Sequence, residues 1–119
     1  MDADAAKALG VAAGPIRLLL GHHGRTGGWG LKHLEGREDR QGAIKALGYV
    51  QCEKFIFAVA ASWTEVHDAT EPNRIKLVWP KDGLHLALVV EWTGEFWTVI
   101  TALPFRPSDK PKLYEKKAA

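Results

Sequence analysis

The chain has 119 residues, of which 46% are hydrophobic and 25% are charged, as expected for a single folded domain. Its formal net charge of +2 permits an anionic partner but is too small to indicate nucleic-acid binding by itself. The single cysteine excludes an intramolecular disulfide and a cysteine-ligated zinc site, and no apolar run is long enough to span a bilayer. We therefore expect a cytoplasmic protein that makes no contact with a membrane.

The first half of the chain predicts short elements on either side of a glycine-rich loop. Residues 1–13 are rich in alanine and predict a short helix or a flexible leader, and residues 16–20 predict a strand or an extended lead-in. Residues 21–30 contain five glycines and predict a loop long enough to hold functional groups. Two short helices are then predicted, over residues 31–38 and 40–47.

The clearest helix is predicted over residues 50–62. Apolar side chains recur there with the spacing of one face of a helix, at Cys52, Phe55, Ile56, Val59, Ala60 and Trp63. A helix with such a continuous apolar face needs a partner to cover it. We therefore expect this helix to form the centre of the hydrophobic core.

Downstream of this helix the apolar period changes to two, which is typical of strands. Residues 64–67 predict a strand or a turn, and residues 80–83 predict a hairpin turn. Clear strands are predicted over residues 74–79, 84–91 and 96–103. Pro104 is expected to end the last strand. The sequence thus predicts an α+β fold in which an antiparallel meander packs one face on the helix over residues 50–62.

The chain divides into three regions by composition. Residues 1–13 form the flexible or helical leader, and residues 14–106 form a single domain. Residues 107–119 are rich in lysine and proline and are expected to be a loosely ordered, charged tail.

His33 is the strongest catalytic candidate, because histidine titrates near neutral pH and can transfer a proton in either direction. Glu35 lies close enough in sequence to raise its pKa, while Lys32 or Arg37 can lower it. The alternative is a helix histidine with ordinary hydrogen bonds and no catalytic role.

Arg74 and Lys76 lie two residues apart on one face of a predicted strand. Such a pair can hold a phosphate group and stabilise negative charge that develops on it. The alternative is a solvated strand face without a ligand.

Further candidates lie on the neighbouring strands and turns. His85 lies on the polar face of its strand, and Thr98 and Thr101 are predicted on opposite faces of the last strand. Either threonine hydroxyl can bond a phosphate oxygen, although threonine also simply favours strands. Trp29 and Trp92 can stack on bases, and partial burial is the alternative for both.

Several common catalytic motifs are absent from the sequence. It has no phosphate-binding P-loop, no dinucleotide-binding glycine motif and no nucleophile-elbow serine. Lysines and arginines are spread along the chain, which argues against a dedicated duplex-DNA binder. A metal-dependent hydrolase that uses His22, His23 and His33 is retained as an alternative.

The order of six segments is more informative than any one motif. They are GPIRLLLGHH, GGWGLKHLEGRE, VQCEKFIFAVAASW, RIKLVW, LHLALVVEW and FWTVITALPF. In this order they resemble the phage and polymorphic-toxin branch of the barnase–EndoU–colicin–RelE nuclease superfamily. The resemblance covers residues 14–107, which is most of the chain.

This resemblance implies N-terminal helices packed on a four-stranded antiparallel sheet, and a ribonuclease that needs no metal or other cofactor. Carried over by motif, the catalytic residues are His33 as acid or base, Arg74 and Lys76 as cations, Thr101 as a phosphate-orienting hydroxyl and His23 as second proton carrier. The predicted substrate contacts are Lys32, Arg37, Thr98, His85 and Trp29. The chain departs from the pattern at Arg37, where many relatives carry a second histidine.

The expected function is therefore RNA cleavage by a toxin or a phage effector domain in the bacterial cytosol. Attack of a ribose 2′-hydroxyl on the adjacent phosphate would break the chain, with tRNA as one candidate substrate. An acidic immunity or antitoxin protein is the expected protein partner. The alternative is a catalytically degenerate phage structural or interaction domain of the same fold.

Overall fold

A computed structural model describes residues 1–19, 22–24, 27–29, 38–49, 51–69, 71, 73–105 and 112–116, with the backbone alone for residues 22–24, 27–29 and 38–41. These residues form a mixed α+β structure. The helices are α1 (Ala3–Leu9), α2 (Glu38–Ala46) and α3 (Cys52–Ser62). The strands are β1 (Ile16–Arg17), β2 (His22–Gly24), β3 (Gly27–Trp29), β4 (Glu65–Asp68), β5 (Arg74–Lys81), β6 (Leu84–Trp92), β7 (Trp97–Phe105) and β8 (Lys112–Glu115).

The main sheet has six strands in the order β1-β7-β6-β5-β4-β8. Strand β1 runs parallel to β7, and the other neighbours are antiparallel. The α+β class is confirmed, but the prediction of four strands is wrong. Of the two additional strands, β1 lies within the strand predicted over residues 16–20 and joins the same sheet beside β7. Strand β8 has four residues, which is too short for a period-two pattern to reveal it.

The predicted loop over residues 21–30 contains a separate antiparallel hairpin. Strands β2 and β3 pair so that His22 lies opposite Trp29 and Gly24 lies opposite Gly27. Glycine-rich sequences carry almost no strand propensity, so only the pairing itself identifies this hairpin. The helix predicted over residues 31–38 lies outside the described residues, apart from Glu38, where α2 begins.

Helix α1 is a defined element of the N-terminal region. Asp2 caps it, since its carboxylate accepts a hydrogen bond of 2.8 Å from the amide of Ala5. Gly10 ends it in the left-handed conformation, with φ of 68°. Ala5 and Ala6 are buried, and Ala5 is part of the core, so the small alanine side chains allow α1 to pack closely.

Helix α3 covers the apolar face of the sheet, as its periodicity predicts. Phe55, Ile56 and Val59 are fully buried or nearly so, and they pack in one cluster with the apolar side chains of the sheet. Those side chains are Val66, Ile75, Leu77, Leu86, Leu88, Val90, Trp97, Val99 and Ala102. Trp63 is also buried in this cluster. It follows the last residue of α3 as the C-cap and is not part of the helix itself.

Two predicted strand ends differ from the structure. The turn between β5 and β6 is only Asp82-Gly83, and both residues have positive φ, as two-residue hairpins require. Strand β7 continues through Pro104, which lies opposite Leu86. Strand β1 pairs only with the start of β7, at Trp97 and Thr98. Among the described residues, β7 therefore has β6 as its one neighbour at Pro104. The backbone N–H that proline lacks is not needed on the unpaired side of a strand.

The C-terminal region contributes one strand to the main sheet. Within the tail predicted over residues 107–119, strand β8 pairs with β4, and the amide of Lys116 donates to the carbonyl of Thr64. Tyr114 packs against the core cluster. The loose order expected for residues 107–119 stays a prediction. In the structure, the strand edge at β4 and the aromatic ring of Tyr114 position residues 112–116. Among the described residues, no helix combines the length and apolarity needed to span a membrane.

Candidate functional site

The face of the sheet that points away from α3 carries the polar side chains. We call it the polar face, and it includes Glu65, His67, Arg74, Lys76, His85, Glu91, Thr98 and Thr101. Residues paired across neighbouring strands point to the same side of a sheet. Alternate residues on the same strands, such as Ile75 and Leu77, enter the core.

A bulge in β7 brings both threonines onto this face, so the prediction of opposite faces is wrong. The register changes from Val90 opposite Val99 to Val89 opposite Thr101, which leaves Ile100 as one extra residue. An extra residue reverses the alternation of side chains along the rest of the strand. Thr101 consequently lies in line with Lys76 and His67 across the sheet.

Glu65, His67 and His85 form a compact cluster on the polar face. The Nε2 atom of His67 lies 2.9 Å from Oε1 of Glu65, and the ring of His85 meets the ring of His67 edge-on at 5.5 Å. One carboxylate oxygen and one nitrogen from each imidazole lie within 4.8 Å of one another. Glu65 is 5% exposed and His67 is 4% exposed, so the pair is held in the protein interior.

The charges in this cluster depend on the balance between burial and pairing. Burial raises the pKa of Glu65, but the hydrogen bond with His67 and the charge of Lys112, 3.5 Å away, outweigh burial and lower the pKa overall. Burial lowers the pKa of His85, and the opposing attraction of Glu65 is smaller. At neutral pH the site therefore contains a carboxylate anion and a neutral imidazole.

The Nδ1 atom of His85 is buried and has no hydrogen-bond partner among the described residues. The ring is held by its neighbours instead, with Phe105 packed edge-on at 5.3 Å on one side and His67 on the other. A buried ring nitrogen without a partner costs stability, so its presence in a polar cluster suggests a ligand or a transferred proton.

Two lysines, Lys76 and Lys112, lie at the edge of the cluster. The ammonium of Lys76 lies 4.9 Å from the centre of the Phe105 ring, next to His85. Lys112 lies between two carboxylates, and its pKa is raised by its hydrogen bond with Glu115, 3.2 Å away, and by the charge of Glu65. Lys112 therefore places a positive charge beside the carboxylate of Glu65, and Lys76 places one beside Phe105.

Arg74 is engaged differently from Lys76. Its guanidinium contacts Glu71 at 2.5 Å and Glu91 at 3.2 Å, so two carboxylates already compensate its charge. It borders a cavity that is also lined by Glu91 and Thr98. The buried hydroxyl of Thr98 has no hydrogen-bond partner within the described part of the chain.

Only some of the predicted site residues can be placed. His33, Lys32 and Arg37 lie outside the described residues, and His23 and Trp29 are described by their backbone alone, on β2 and β3. The described residues bring five of the predicted site residues onto the polar face: Arg74, Lys76, His85, Thr98 and Thr101.

Glu65 and His67 were not among the predicted site residues. The Glu-x-His spacing within residues 64–67 is a signal that could have identified them, because a strand places both side chains on one face. The approach of His85, which lies on a different strand, has no such local signal.

Neither a family model, nor a curated protein, nor a solved structure matches this chain. The chemistry of the polar face therefore carries the functional argument. Such a face can hold a phosphate with lysine, accept a proton at a neutral histidine and orient a second histidine through a carboxylate.

Proposed function

We propose that this protein is a metal-independent endoribonuclease. The observation that carries the proposal is the presence of Glu65, His67, His85 and Lys76 on one face of the sheet, with neutral His85 beside a carboxylate-held His67. Cleavage of RNA by its own 2′-hydroxyl needs a base, an acid and a cation, and this face offers those types of group.

The chemistry begins with removal of the 2′-hydroxyl proton by the neutral imidazole of His85. The 2′-oxygen forms a bond to phosphorus, and the bond from phosphorus to the 5′-oxygen breaks. A protonated group supplies the proton for the leaving oxygen, which gives a 2′,3′-cyclic phosphate and a free 5′-hydroxyl. His67 is the acid candidate on the polar face, and His33 and His23 are the acid candidates carried over from the family motif. Lys76 stabilises the additional negative charge at phosphorus.

The order of the sequence motifs supports the same proposal, since it resembles the barnase–EndoU–colicin–RelE nucleases. In that setting the protein is a toxin or a phage effector domain that acts on RNA, including tRNA, in the bacterial cytosol. An acidic immunity or antitoxin protein would bind over Lys76 and the predicted substrate contacts Lys32 and Arg37. Thr101 then orients a phosphate oxygen from its position in line with Lys76.

The test is cleavage of total RNA and purified tRNA by the full chain in the presence of a chelator. We expect discrete fragments that end in a cyclic phosphate. His85→Ala should lower the cleavage rate by about 10²–10⁴-fold, the usual contribution of a general acid or base. Lys76→Ala should also slow cleavage, whereas Lys45→Ala, on an exposed face of α2, should leave the rate unchanged.

Equal rates for the parent protein and His85→Ala would remove His85 from the mechanism. His33→Ala tests the family-based assignment in the same assay, and an unchanged rate there would remove His33. Loss of cleavage in Lys45→Ala as well as in Lys76→Ala would indicate general electrostatic attraction instead of a specific role for Lys76.

The second candidate function is a binding domain of the same fold without catalytic activity. It is favoured by the deep burial of Glu65 and His67 and by the compensation of the Arg74 charge, both of which limit access to a substrate. The same RNA assay separates the two functions. Intact RNA at every pH between about 5 and 8, the range over which histidine titrates, would favour the binding domain.

A further inference from the structure

We infer that Glu65, His67 and His85 form a binding site for a divalent transition-metal ion of the Zn²⁺ type. The three side chains come from β4 and β6, on the polar face, and offer one oxygen and two nitrogen ligand atoms within 4.8 Å of one another. This inference is independent of the proposed nuclease activity, because it depends only on the ligand set and its geometry.

The distances allow a metal ion after a small movement of the side chains. Zinc binds histidine nitrogen and carboxylate oxygen at about 2.0–2.2 Å, which sets neighbouring ligand atoms about 3.4 Å apart in a tetrahedron. The contact of 2.9 Å between His67 and Glu65 is shorter than this separation, and every pair of ligand atoms in the cluster lies within 4.8 Å. An ion would replace the proton shared by His67 and Glu65, while His85 moves toward them.

The donor types select the class of ion. Two imidazoles and one carboxylate favour zinc and its neighbours in the transition series over calcium or magnesium, which prefer oxygen ligands alone. Three protein ligands also leave one position of a tetrahedron for water. The single cysteine of the chain, Cys52, is on α3, within the hydrophobic core on the other side of the sheet.

The unpartnered Nδ1 atom of His85 is an independent indication of a ligand. It is buried and has no hydrogen-bond partner among the described residues, although the His85 ring belongs to a cluster with a carboxylate and a second imidazole. Buried polar atoms are usually satisfied, and a bound ion is one of the ordinary ways to satisfy an imidazole nitrogen. The ring packs edge-on against Phe105 at 5.3 Å, which limits its rotation.

Lys112 would compete with a metal ion for the carboxylate of Glu65. Its ammonium lies 3.5 Å from Oε2 of Glu65 and compensates the charge of that carboxylate. The side chain is 45% exposed and bonds Glu115 as well, so it can turn away when an ion binds. Removal of this positive charge should therefore increase metal affinity, a result that a purely structural role for the cluster would not produce.

The test is calorimetric titration of ZnCl₂ into the chelator-treated full chain in a non-coordinating buffer. We expect one ion per chain, and an affinity at least 10–100-fold weaker in His85→Ala, since loss of even an outer-shell partner costs about that factor. Lys112→Met should bind zinc several-fold more tightly. The double variant His22→Ala/His23→Ala should match the parent, as should Glu95→Gln at an exposed turn.

Three results would overturn the inference: equal zinc affinity in the parent and His85→Ala, loss of binding in the His22→Ala/His23→Ala variant, or no gain of affinity in Lys112→Met. The first would remove His85 as a ligand, and the second would move the site to the glycine-rich segment. Circular dichroism of each variant checks that it folds. An increase in Tm on addition of zinc, present in the parent and absent in His85→Ala, gives a second measure of the same binding.

One consequence does rest on the proposed function. If His67 and His85 transfer protons during RNA cleavage, an ion bound to both will stop cleavage, and chelator will restore it. If the protein binds zinc in the titration but does not cleave RNA in the separate chelator assay, the nuclease proposal is removed and the metal site remains. RNA cleavage without zinc binding would do the reverse, and cleavage that persists at saturating zinc would separate the metal site from the catalytic site.

Discussion

At the scale of single residues, Thr98 carries a buried hydroxyl group that costs stability. Its side chain is 4% exposed, and its hydroxyl has no hydrogen-bond partner in the described part of the protein. A buried polar atom without a partner costs about 1–3 kcal/mol of stability. It lines the same cavity as Arg74 and Glu91.

Thr98→Val should therefore raise the free energy of unfolding by about 1 kcal/mol, because valine has nearly the same shape and no polar atom. Urea denaturation measures the difference. Thr101→Val is the matched control, since Thr101 lies on the same strand and face but has an interacting partner, and it should not gain stability. A less stable Thr98→Val protein would show that the hydroxyl is satisfied in solution.

At the scale of single elements, the backbone conformation at a glycine decides whether that glycine stabilises or destabilises the fold. Gly83, in the turn between β5 and β6, has φ of 80°, which side-chain-bearing residues rarely adopt. Gly42 is inside α2, where its φ is not positive and open space surrounds the position of a Cβ atom. The same residue type is therefore required in the turn and unfavourable in the helix.

This contrast predicts opposite effects for the same substitution. Gly83→Ala should lower the free energy of unfolding by about 1–2 kcal/mol, the cost of the left-handed conformation for alanine. Gly42→Ala should raise it by about 0.5–1 kcal/mol, because alanine has the higher helix propensity. Chemical denaturation of both variants checks the pair. Effects of the same sign would contradict either the left-handed conformation of Gly83 or the helical conformation of Gly42.

At the scale of the whole molecule, the segment that follows β8 contacts the N-terminal region. The N-terminal ammonium donates to the carbonyl of Gly14 at 2.8 Å, and Lys116 lies 3.6 Å from the carboxylate of Asp2. Burial lowers the pKa of that ammonium. Strand β8 thus closes one edge of the sheet and contacts the N-terminal region at the same time.

Removal of residues 112–119 should lower the free energy of unfolding by about 2 kcal/mol or more. The truncation exposes the edge of β4 and removes Tyr114 from the core cluster, and burial of one large side chain contributes about 1.5–3 kcal/mol. Leu113→Ala is the control. That side chain is 50% exposed, and its truncation should change stability by less than about 0.5 kcal/mol. Full stability in the truncated chain would contradict a structural role for β8.

The sequence predicted the elements with strong periodicity and missed those that depend on pairing. Helix α3 and strands β5, β6 and β7 follow from their apolar spacing to within a few residues. Strand β8 is too short to show a period, and the β2–β3 hairpin is composed largely of glycine. The division into leader, single domain and tail stays a prediction, as do the roles of His33 and His23.

The amino-acid sequence by itself determined the α+β class, the central helix and the polar face that holds Arg74, Lys76 and His85, because side-chain period and turn chemistry are local properties. Only the tertiary structure decided that the sheet has six strands, that a bulge at Ile100 sets both threonines on one face, and that His85 meets Glu65 and His67. Those features depend on strand order, register and burial, which arise from contacts between residues far apart in the chain.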